Sequence, residues 1–207
     1  MEEHRLSVSR SARYFSIGRP AREVWFVLHG YAQLAARFLR YFEPIDDGSR
    51  LIVAPEGLSR FYLTEAATER RVGATWMTKE DRIAEIEDYV RYLDAVYAEA
   101  MRRNRAEIKV TVLGFSQGGT TACRWAALGT SQIDRLIVWG GEVPSDIDMQ
   151  RARRLALVYG NRDEYFTPKV VAATETRLRE RKISYELTPF DGGHEINTDI
   201  LKKLADG

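Results

Sequence analysis

Cysteine is almost absent from this chain, since Cys123 is the only one among its 207 residues. A single cysteine cannot form a disulfide within the chain, and nothing else in the sequence indicates an oxidising compartment. The longest uncharged apolar run, near Trp25, is strand-sized and far too short to span a bilayer. The charged N-terminus leads into no apolar stretch of signal-peptide length. We therefore expect a cytoplasmic protein without membrane insertion.

The chain also lacks an excess of charge of either sign. Its 31 Lys and Arg residues nearly balance its 30 Asp and Glu residues, which leaves a net charge of +1. This balance predicts neither nucleic acid nor an acidic membrane as a partner. Histidine is scarce, with three in the chain, and His194-Glu195 lacks the second histidine that a zinc-binding helix needs. We therefore expect no metal and no cofactor.

Apolar β-branched runs alternate with segments of helical spacing along most of the chain. Strands are predicted at residues 24–28, 51–54, 108–113, 135–139, 155–159 and 183–187, with one or two antiparallel edge strands in 7–17. Helices are predicted at residues 32–42, at 78–103 with Thr78 as N-cap, from just after Ser116 to 128, at 167–182 and at 195–204. Residues 56–77 are predicted to be irregular. This alternation is typical of an α/β protein with a mostly parallel sheet, and its length suits one domain over residues 1–207.

One serine stands between two glycines directly after a predicted strand. The apolar run Val110–Leu113 leads into Gly114-Phe115-Ser116-Gln117-Gly118-Gly119, and helix-forming residues follow. A strand–serine–helix turn of this kind, which we call the elbow, strains the backbone at the serine and lifts its hydroxyl clear of the sheet. The flanking glycines keep side chains from colliding at that turn. Since G-x-S-x-G occurs by chance in roughly one in ten chains of this size, the motif needs corroboration.

Other residues with catalytic side chains follow the ends of predicted strands. His29, Asp163 and His194 each come shortly after an apolar run punctuated by glycine. In parallel sheets the ligand site lies beyond the carboxyl ends of the strands. Ser116, Asp163 and His194 also stand in the chain order Ser…Asp…His of an α/β-hydrolase triad. The three are remote in sequence, so agreement in order and in strand position carries more weight than any single motif.

These motifs resemble the phospholipase/carboxylesterase branch of the α/β-hydrolases, which includes the acyl-protein thioesterases. The resemblance spans almost the whole chain and is carried by Leu28-His29-Gly30, Gly114-Phe115-Ser116-Gln117-Gly118-Gly119, Gly160-Asn161-Arg162-Asp163 and Gly192-Gly193-His194. It implies the α/β-hydrolase fold, with helices on both faces of the sheet, and no insertion is long enough for a separate cap domain. After Gly30 the chain has Tyr31-Ala32-Gln33, where the thioesterases usually carry a small Gly-containing turn. The acyl-chain preference of that family is therefore not transferred.

The resemblance and the chemistry of acyl transfer together assign roles to five residues. Ser116 is the candidate nucleophile, and it needs a base within hydrogen-bond reach. His194 fits that base because an imidazole titrates near neutral pH, and Asp163 would hold its tautomer and stabilise the imidazolium. The backbone N–H of Gln117 is the first candidate oxyanion donor. The family pattern implies the N–H of Tyr31 as the second.

Several alternatives to these assignments stay open. Glu164 and Asp191 compete with Asp163 for the role of the acid, and His29 competes for the role of the base. Cys123 lies on the predicted elbow helix and is interpreted as core packing.

Apolar residues near the predicted site could line an acyl or alkyl pocket. The candidate substrate contacts are Phe61, Trp76, Met77 and Tyr165. The alternative for the first three is that they cover the sheet edge. Arg70 and Arg71 are interpreted either as attracting an anionic head group or as a solvated pair.

The sequence predicts a serine hydrolase that cleaves carboxylic esters or thioesters through an acyl-enzyme. Its partner would be a small-molecule ester or thioester, with no nucleic acid, and the chain would be a monomer or a homodimer. The alternatives are a lysophospholipase or a peptidase with the same triad, and a non-catalytic binding protein that retains the hydrolase fold.

Overall fold

The computed structural model describes residues 1–19, 22–63, 71–102, 108–148 and 153–207. The strands are β1 (Tyr14–Gly18), β2 (Glu23–Leu28), β3 (Arg50–Pro55), β4 (Ser59–Tyr62), β5 (Val72–Thr75), β6 (Lys109–Phe115), β7 (Arg135–Trp139), β8 (Leu155–Gly160) and β9 (Tyr185–Phe190). The helices are α1 (Ala35–Phe38), which continues as a 3-10 helix over Leu39–Ile45, α2 (Arg82–Arg102), α3 (Gln117–Leu128), α4 (Pro168–Glu180) and α5 (Thr198–Ala205).

The main sheet has seven strands in the order β1-β3-β2-β6-β7-β8-β9. All neighbouring strands in it are parallel except β1, which pairs antiparallel with β3 at one edge. The predicted α/β architecture with a mostly parallel sheet is confirmed. The parallel order brings the carboxyl ends of β2, β6, β7, β8 and β9 to one edge of the sheet, which is where ligand sites of such sheets lie.

Helices cover both faces of this sheet. Successive side chains of a strand point to opposite faces, so β2 sends Val24 and Phe26 into one core and Trp25 and Val27 into the other. All four side chains are fully buried. The first core contains residues of α2, α3 and α4, and the second contains residues of α1, the 3-10 helix and α5. No helix in the described ranges is long and apolar enough to cross a membrane.

The longest helix begins later than the sequence predicts. It starts at Arg82 rather than Thr78, because Asp81 has a positive φ of 47° that no α-helix can contain. The Thr78 hydroxyl accepts a hydrogen bond from the Glu80 N–H at 3.2 Å and so caps a turn before the helix. The predicted N-cap is therefore wrong.

The helix predicted at 32–42 is also shorter than expected. Ala32 has a φ of 64°, and the bridge between Gln33 and Ala74 keeps this turn extended, so α1 begins only at Ala35. Pro44 lies inside the following 3-10 segment. The turn before α1 is therefore held against β5 by hydrogen bonds to Ala74, and no local sequence pattern predicts these bonds.

Part of the stretch predicted as irregular forms a hairpin. Strands β4 and β5 pair antiparallel, with Phe61 opposite Gly73, and form a separate two-stranded sheet. A Cβ atom on Gly73 would lie 2.5 Å from the carbonyl oxygen of Ala32, so only glycine allows the hairpin to approach that turn. The sequence prediction missed this pair because its contacts are made with a distant segment.

The two ends of the chain also differ in detail from the prediction. Residues 7–17 contribute the single edge strand β1. The last strand runs to Phe190, and the closing helix begins at Thr198 because the Asn197 side chain caps it, accepting from the N–H groups of Asp199 and Ile200.

Candidate active site

Ser116 stands at the junction of β6 and α3 with a strained backbone. Its φ is 54° and its ψ is −119°, values that a residue with a side chain rarely adopts. Its N–H donates to the carbonyl of Trp139 at 2.9 Å, and its own carbonyl accepts from the N–H of Gly119 at 2.9 Å. These bonds to the neighbouring strand and to the helix hold the strained turn in place. The strain predicted for the serine is present.

The two glycines around Ser116 are required by close backbone approach. A Cβ atom on Gly114 would collide with the carbonyl oxygen of Gly118, and one on Gly118 would collide with that of Leu28. Strand β6, helix α3 and strand β2 therefore meet with backbone against backbone at the elbow.

The Asp163 carboxylate and the His194 imidazole form a hydrogen-bonded pair, which we call the Asp–His dyad. His194 Nδ1 lies 2.7 Å from Asp163 Oδ2. The other carboxylate oxygen accepts from the N–H groups of Tyr165 at 2.8 Å and Phe166 at 2.7 Å. The Asp163 side chain is 1% exposed, so these donors replace water around its charge. The carboxylate is thereby aimed at one ring nitrogen.

The dyad is assembled by two neighbouring strand ends. The turn after β8 carries Asp163, and the loop after β9 carries His194. The N–H of Arg162 donates to the carbonyl of Gly192 at 2.9 Å, and that of Asn161 donates to Phe190 at 2.9 Å. The pairing of β8 with β9 thus continues beyond the strands and holds the two side chains together.

A pair of glycines after β7 lies between the dyad and the elbow. A Cβ atom on Gly140 would lie 3.1 Å from Nδ1 of His194, and one on Gly141 would lie 2.7 Å from the carbonyl oxygen of Ser116. The dyad and the serine turn therefore border the same strand end. This pair is not among the site residues predicted from the sequence, although a Gly-Gly directly after a strand was the available signal.

Two backbone N–H groups next to Ser116 have no acceptor among the described residues. One belongs to Gln117, the first residue of α3, and the other to Tyr31, in the turn after β2. A Cβ atom on Gly30 would lie 3.3 Å from Cβ of Ser116, which places the Gly30–Tyr31 peptide beside the serine. Free donors at a helix start and an adjacent turn are suited to bind a negatively charged oxygen.

Comparison with known proteins identifies the fold family of the chain. A family model described as the alpha/beta hydrolase fold matches residues 74–205. The chain belongs to that family. Among curated proteins, none was found to match it.

Three solved structures similar to this α/β-hydrolase are an esterase, a thioesterase and a carboxylesterase. The carboxylesterase from Mesorhizobium loti is 20% identical, with 95% of each chain covered and a TM-score of 0.72. Zea mays acyl-protein thioesterase 2 is 16% identical, with 95% of this chain and 97% of that chain covered and a TM-score of 0.73. Esterase PE8 is 18% identical, with the same coverage and a TM-score of 0.71. At these identities the similarity shows a shared fold over nearly the whole length.

The competing acids of this α/β-hydrolase are exposed on the surface. Glu164 is exposed, and the Asp191 side chain is 75% exposed and forms an ion pair with Arg162. Of the three candidate carboxylates only Asp163 hydrogen-bonds His194 within the part of the chain that the structure describes.

The competing base, His29, is a scaffold residue. It is fully buried, its Nδ1 donates to the carbonyl of Gly30 at 2.7 Å, and its Nε2 accepts from the N–H of Gly57 at 2.9 Å. Burial lowers the pKa of His29 below its ordinary value of 6.5, so the ring stays neutral. With both ring nitrogens engaged by the backbone, His29 has no nitrogen free to take a proton from a nucleophile.

Cys123 is fully buried, and burial raises the pKa of its thiol to about 12, as suits a core residue. Among the described residues, no group of three or more His, Cys, Asp or Glu side chains could hold a metal ion.

The structure corrects one of the predicted substrate contacts. Trp76 is 2% exposed, stacks on His29 at a centroid distance of 4.9 Å and donates its indole N–H to the His29 carbonyl at 2.8 Å. It therefore belongs to the core rather than to a pocket wall. Met77 is half-buried beside it and packs against the same core.

The remaining candidates lie on the surface around the site. Tyr165 is 76% exposed, and its ring centroid lies 5.0 Å from that of His194. Phe61 is half-buried and its ring lies 5.2 Å from that of Tyr31, which is itself 58% exposed. Arg71 is exposed, and Arg70 lies outside the described residues.

Proposed function

We propose that this α/β-hydrolase cleaves carboxylic esters or thioesters through an acyl-enzyme on Ser116. The observation that carries the proposal is the 2.7 Å contact between His194 Nδ1 and Asp163 Oδ2, at the strand-end edge that also holds the strained serine. The esterases and the thioesterase of similar fold favour the phospholipase/carboxylesterase branch within the family.

The first half of the reaction forms the acyl-enzyme. His194 Nε2 takes the hydroxyl proton of Ser116 while the oxygen attacks the substrate carbonyl carbon. The negative charge that develops on the carbonyl oxygen is met by the N–H groups of Gln117 and Tyr31, which have no other acceptor among the described residues. Collapse of this tetrahedral intermediate breaks the ester or thioester bond. The alcohol or thiol leaves with the proton that His194 returns.

The second half hydrolyses the acyl-enzyme. A water molecule gives a proton to His194 as its oxygen attacks the acyl carbon, and the same two N–H groups bind the second oxyanion. The Ser116 oxygen then leaves with the proton from His194, which releases a carboxylic acid and restores the enzyme.

Asp163 acts through the imidazole in both halves. Two backbone N–H groups hold its buried carboxylate, so the carboxylate does not have to reorganise when charge appears on the ring. It keeps the Nδ1 proton in place and stabilises the imidazolium that forms at each proton transfer.

The substrate that we propose is a small molecule with an apolar acyl or alkyl group. Tyr165 beside the imidazole and the Tyr31–Phe61 pair beside the oxyanion turn supply apolar surface around the reacting centre. We further propose a single domain over residues 1–207, acting in the cytoplasm as a monomer or homodimer without nucleic acid.

The test combines a fluorophosphonate label with a substrate panel. The panel holds p-nitrophenyl esters of graded chain length, acyl thioesters, a lysophospholipid and a peptide anilide. We expect wild type to be labelled and to hydrolyse at least one ester or thioester, and Ser116→Ala to do neither. The matched control is Ser16→Ala, in the exposed face of the edge strand β1, which should behave as wild type.

Three results would overturn the proposal in part or in whole. Cleavage of the lysophospholipid or the peptide alone would favour the corresponding alternative. Absence of both labelling and turnover would favour a non-catalytic binding protein. Labelling that persists in Ser116→Ala would place the nucleophile elsewhere.

A further inference from the structure

The end of strand β5 hydrogen-bonds to the turn that carries one proposed oxyanion donor. We call residues Ala74–Met77 the brace. The carbonyl of Ala74 accepts from the N–H of Ala32 at 2.9 Å, and the N–H of Ala74 donates to the carbonyl of Gln33 at 3.1 Å. These two bonds hold the residues that directly follow Tyr31 against the end of β5.

The brace also acts on the donor peptide itself, through a buried histidine. Trp76 donates its indole N–H to the carbonyl of His29 at 2.8 Å and stacks on the imidazole. His29 Nδ1 in turn donates to the carbonyl of Gly30 at 2.7 Å. The Gly30 carbonyl and the Tyr31 N–H belong to one planar trans peptide. A bond that holds the oxygen therefore also sets the direction of the N–H.

The other side of the brace binds the residue that carries the second donor. The side chain of Gln117 accepts from the N–H of Trp76 at 3.2 Å through Oε1. Its Nε2 donates to the carbonyl of Met77 and to the hydroxyl of Thr75, both at 2.9 Å. The Thr75 hydroxyl completes the network by donating to the Met77 carbonyl at 2.9 Å. The side chain of Gln117 thus ties its own backbone to the brace.

We propose that the brace sets the spacing of the two oxyanion donors, and that Thr75, Trp76 and the Gln117 side chain are positioning residues for the hole. The inference rests on the proposed function. Thr75 and Trp76 are 4% and 2% exposed, so their side of the network is enclosed in the core, while Gln117 and Met77 are partly buried. An oxyanion hole works because its donors are held in place before the charge develops. A shift of about 1 Å in such a group can cost about 10²-fold in rate.

The first test is Thr75→Val, which removes one hydroxyl and keeps the shape of the side chain. Since the hole is filled only in the tetrahedral state, kcat should fall about 10-fold or more while KM stays within about 2-fold. The inhibition constant of an alkyl trifluoromethyl ketone, which forms a tetrahedral adduct, should weaken by the same factor as kcat/KM. The matched control is Thr174→Val, whose fully buried hydroxyl donates to Val170 within α4. Fluorophosphonate titration corrects every rate for the active fraction.

Two further variants keep the test decisive if Thr75→Val does not fold. Trp76→Phe keeps a ring against His29 and removes the N–H, and its control is Trp125→Phe, which loses an indole bond to Asp94. Gln117→Met keeps the length of the side chain and removes its polar atoms. Because Thr75 and Gln117 act through one network, the double variant should lose no more than about 2-fold beyond the worse single variant.

The outcomes separate this inference from the function on which it rests. If Ser116→Ala is inactive but the brace variants match their controls in kcat and ketone binding, the brace proposal is overturned and the proposed function stands. A rise in KM with unchanged kcat would likewise overturn it. If wild type neither hydrolyses the panel nor takes the label, the proposed function fails, and the brace fails with it.

Discussion

Gly160 and Gly192 lie in contact backbone to backbone, because a Cβ atom on Gly160 would collide with the carbonyl oxygen of Gly192. This contact joins the turn that carries Asp163 to the loop that carries His194. The dyad therefore depends on two residues that have no side chain, one at the end of β8 and the other in the loop after the neighbouring parallel strand β9.

The first prediction follows from that contact. Gly160→Ala should lower the free energy of unfolding by about 1–3 kcal/mol, since the colliding atom is backbone and cannot rotate away. It should also lower kcat, because separating the two segments lengthens the dyad bond. Chemical denaturation and ester turnover measure the two effects. The control is Gly193→Ala, whose Cβ would find its nearest atom at 3.9 Å, so its unfolding free energy should stay within about 0.5 kcal/mol of wild type. Equal stability of the two variants would contradict the argument.

The second prediction concerns the acid of the dyad. Asp163→Asn keeps the shape of the side chain but loses its charge, so His194 loses the partner that holds its tautomer. We expect a folded protein whose kcat is about 10³–10⁴-fold lower. Circular dichroism checks the fold and the ester panel checks the rate. Asp191→Asn, at an exposed position, should keep wild-type turnover. Unchanged turnover in Asp163→Asn would move the acid role to Glu164 or Asp191.

The third prediction is a pH dependence of stability from His29. Because burial lowers the pKa of this imidazole, the unfolded chain binds a proton below about pH 6.5 that the native protein does not bind. Its contribution is fully present above that pH. As the pH falls further, it is lost by up to about 1.4 kcal/mol per pH unit until the native pKa is reached.

Denaturation at pH 7.5 and pH 5.5 measures this contribution. Wild type should lose more unfolding free energy between the two values than His29→Gln, by at most about 1.4 kcal/mol. His4→Gln, in the exposed N-terminal segment, should show the wild-type loss. An equal loss in wild type and His29→Gln would show that another group carries the dependence.

The fourth prediction tests the exposed ring beside the imidazole. Tyr165→Ala should raise KM for apolar esters by about 2–10-fold, because an aromatic contact contributes about 0.5–1.5 kcal/mol. Tyr165→Phe should keep the wild-type KM, since the ring remains. The remote control is Tyr41→Ala, which removes an exposed ring that packs on Phe38. If Tyr165→Ala leaves KM unchanged for every ester, Tyr165 does not contact the substrate.

Features carried by local sequence were predicted well. The strand–serine–helix pattern predicted the strained turn at Ser116, and glycine-punctuated apolar runs predicted the strand ends that carry Asp163 and His194. Their catalytic roles stay predictions. The α/β alternation predicted the architecture, because parallel strands bring their carboxyl ends to one edge whatever the connecting segments do.

Features set by contacts between remote segments were missed or misplaced. Hairpin β4–β5 forms because Gly73 fits against the turn at Ala32, and helix α2 starts at Arg82 because Asp81 leaves the helical region. The contact of Gly73 has no local signature, and the apolar spacing along the helix does not indicate the backbone conformation of Asp81.

The chain by itself determined which side chains could do chemistry and at which end of the sheet they would stand, because strand periodicity and glycine punctuation are local. Only the tertiary structure decided how those groups are supported. Trp76 and Gln117 lie 41 residues apart, yet they hydrogen-bond because the end of β5 packs beside the start of α3. The spacing of apolar residues along the sequence indicates which positions are buried. The direction of a hydrogen bond instead depends on which atoms the complete fold brings within about 3 Å of each other.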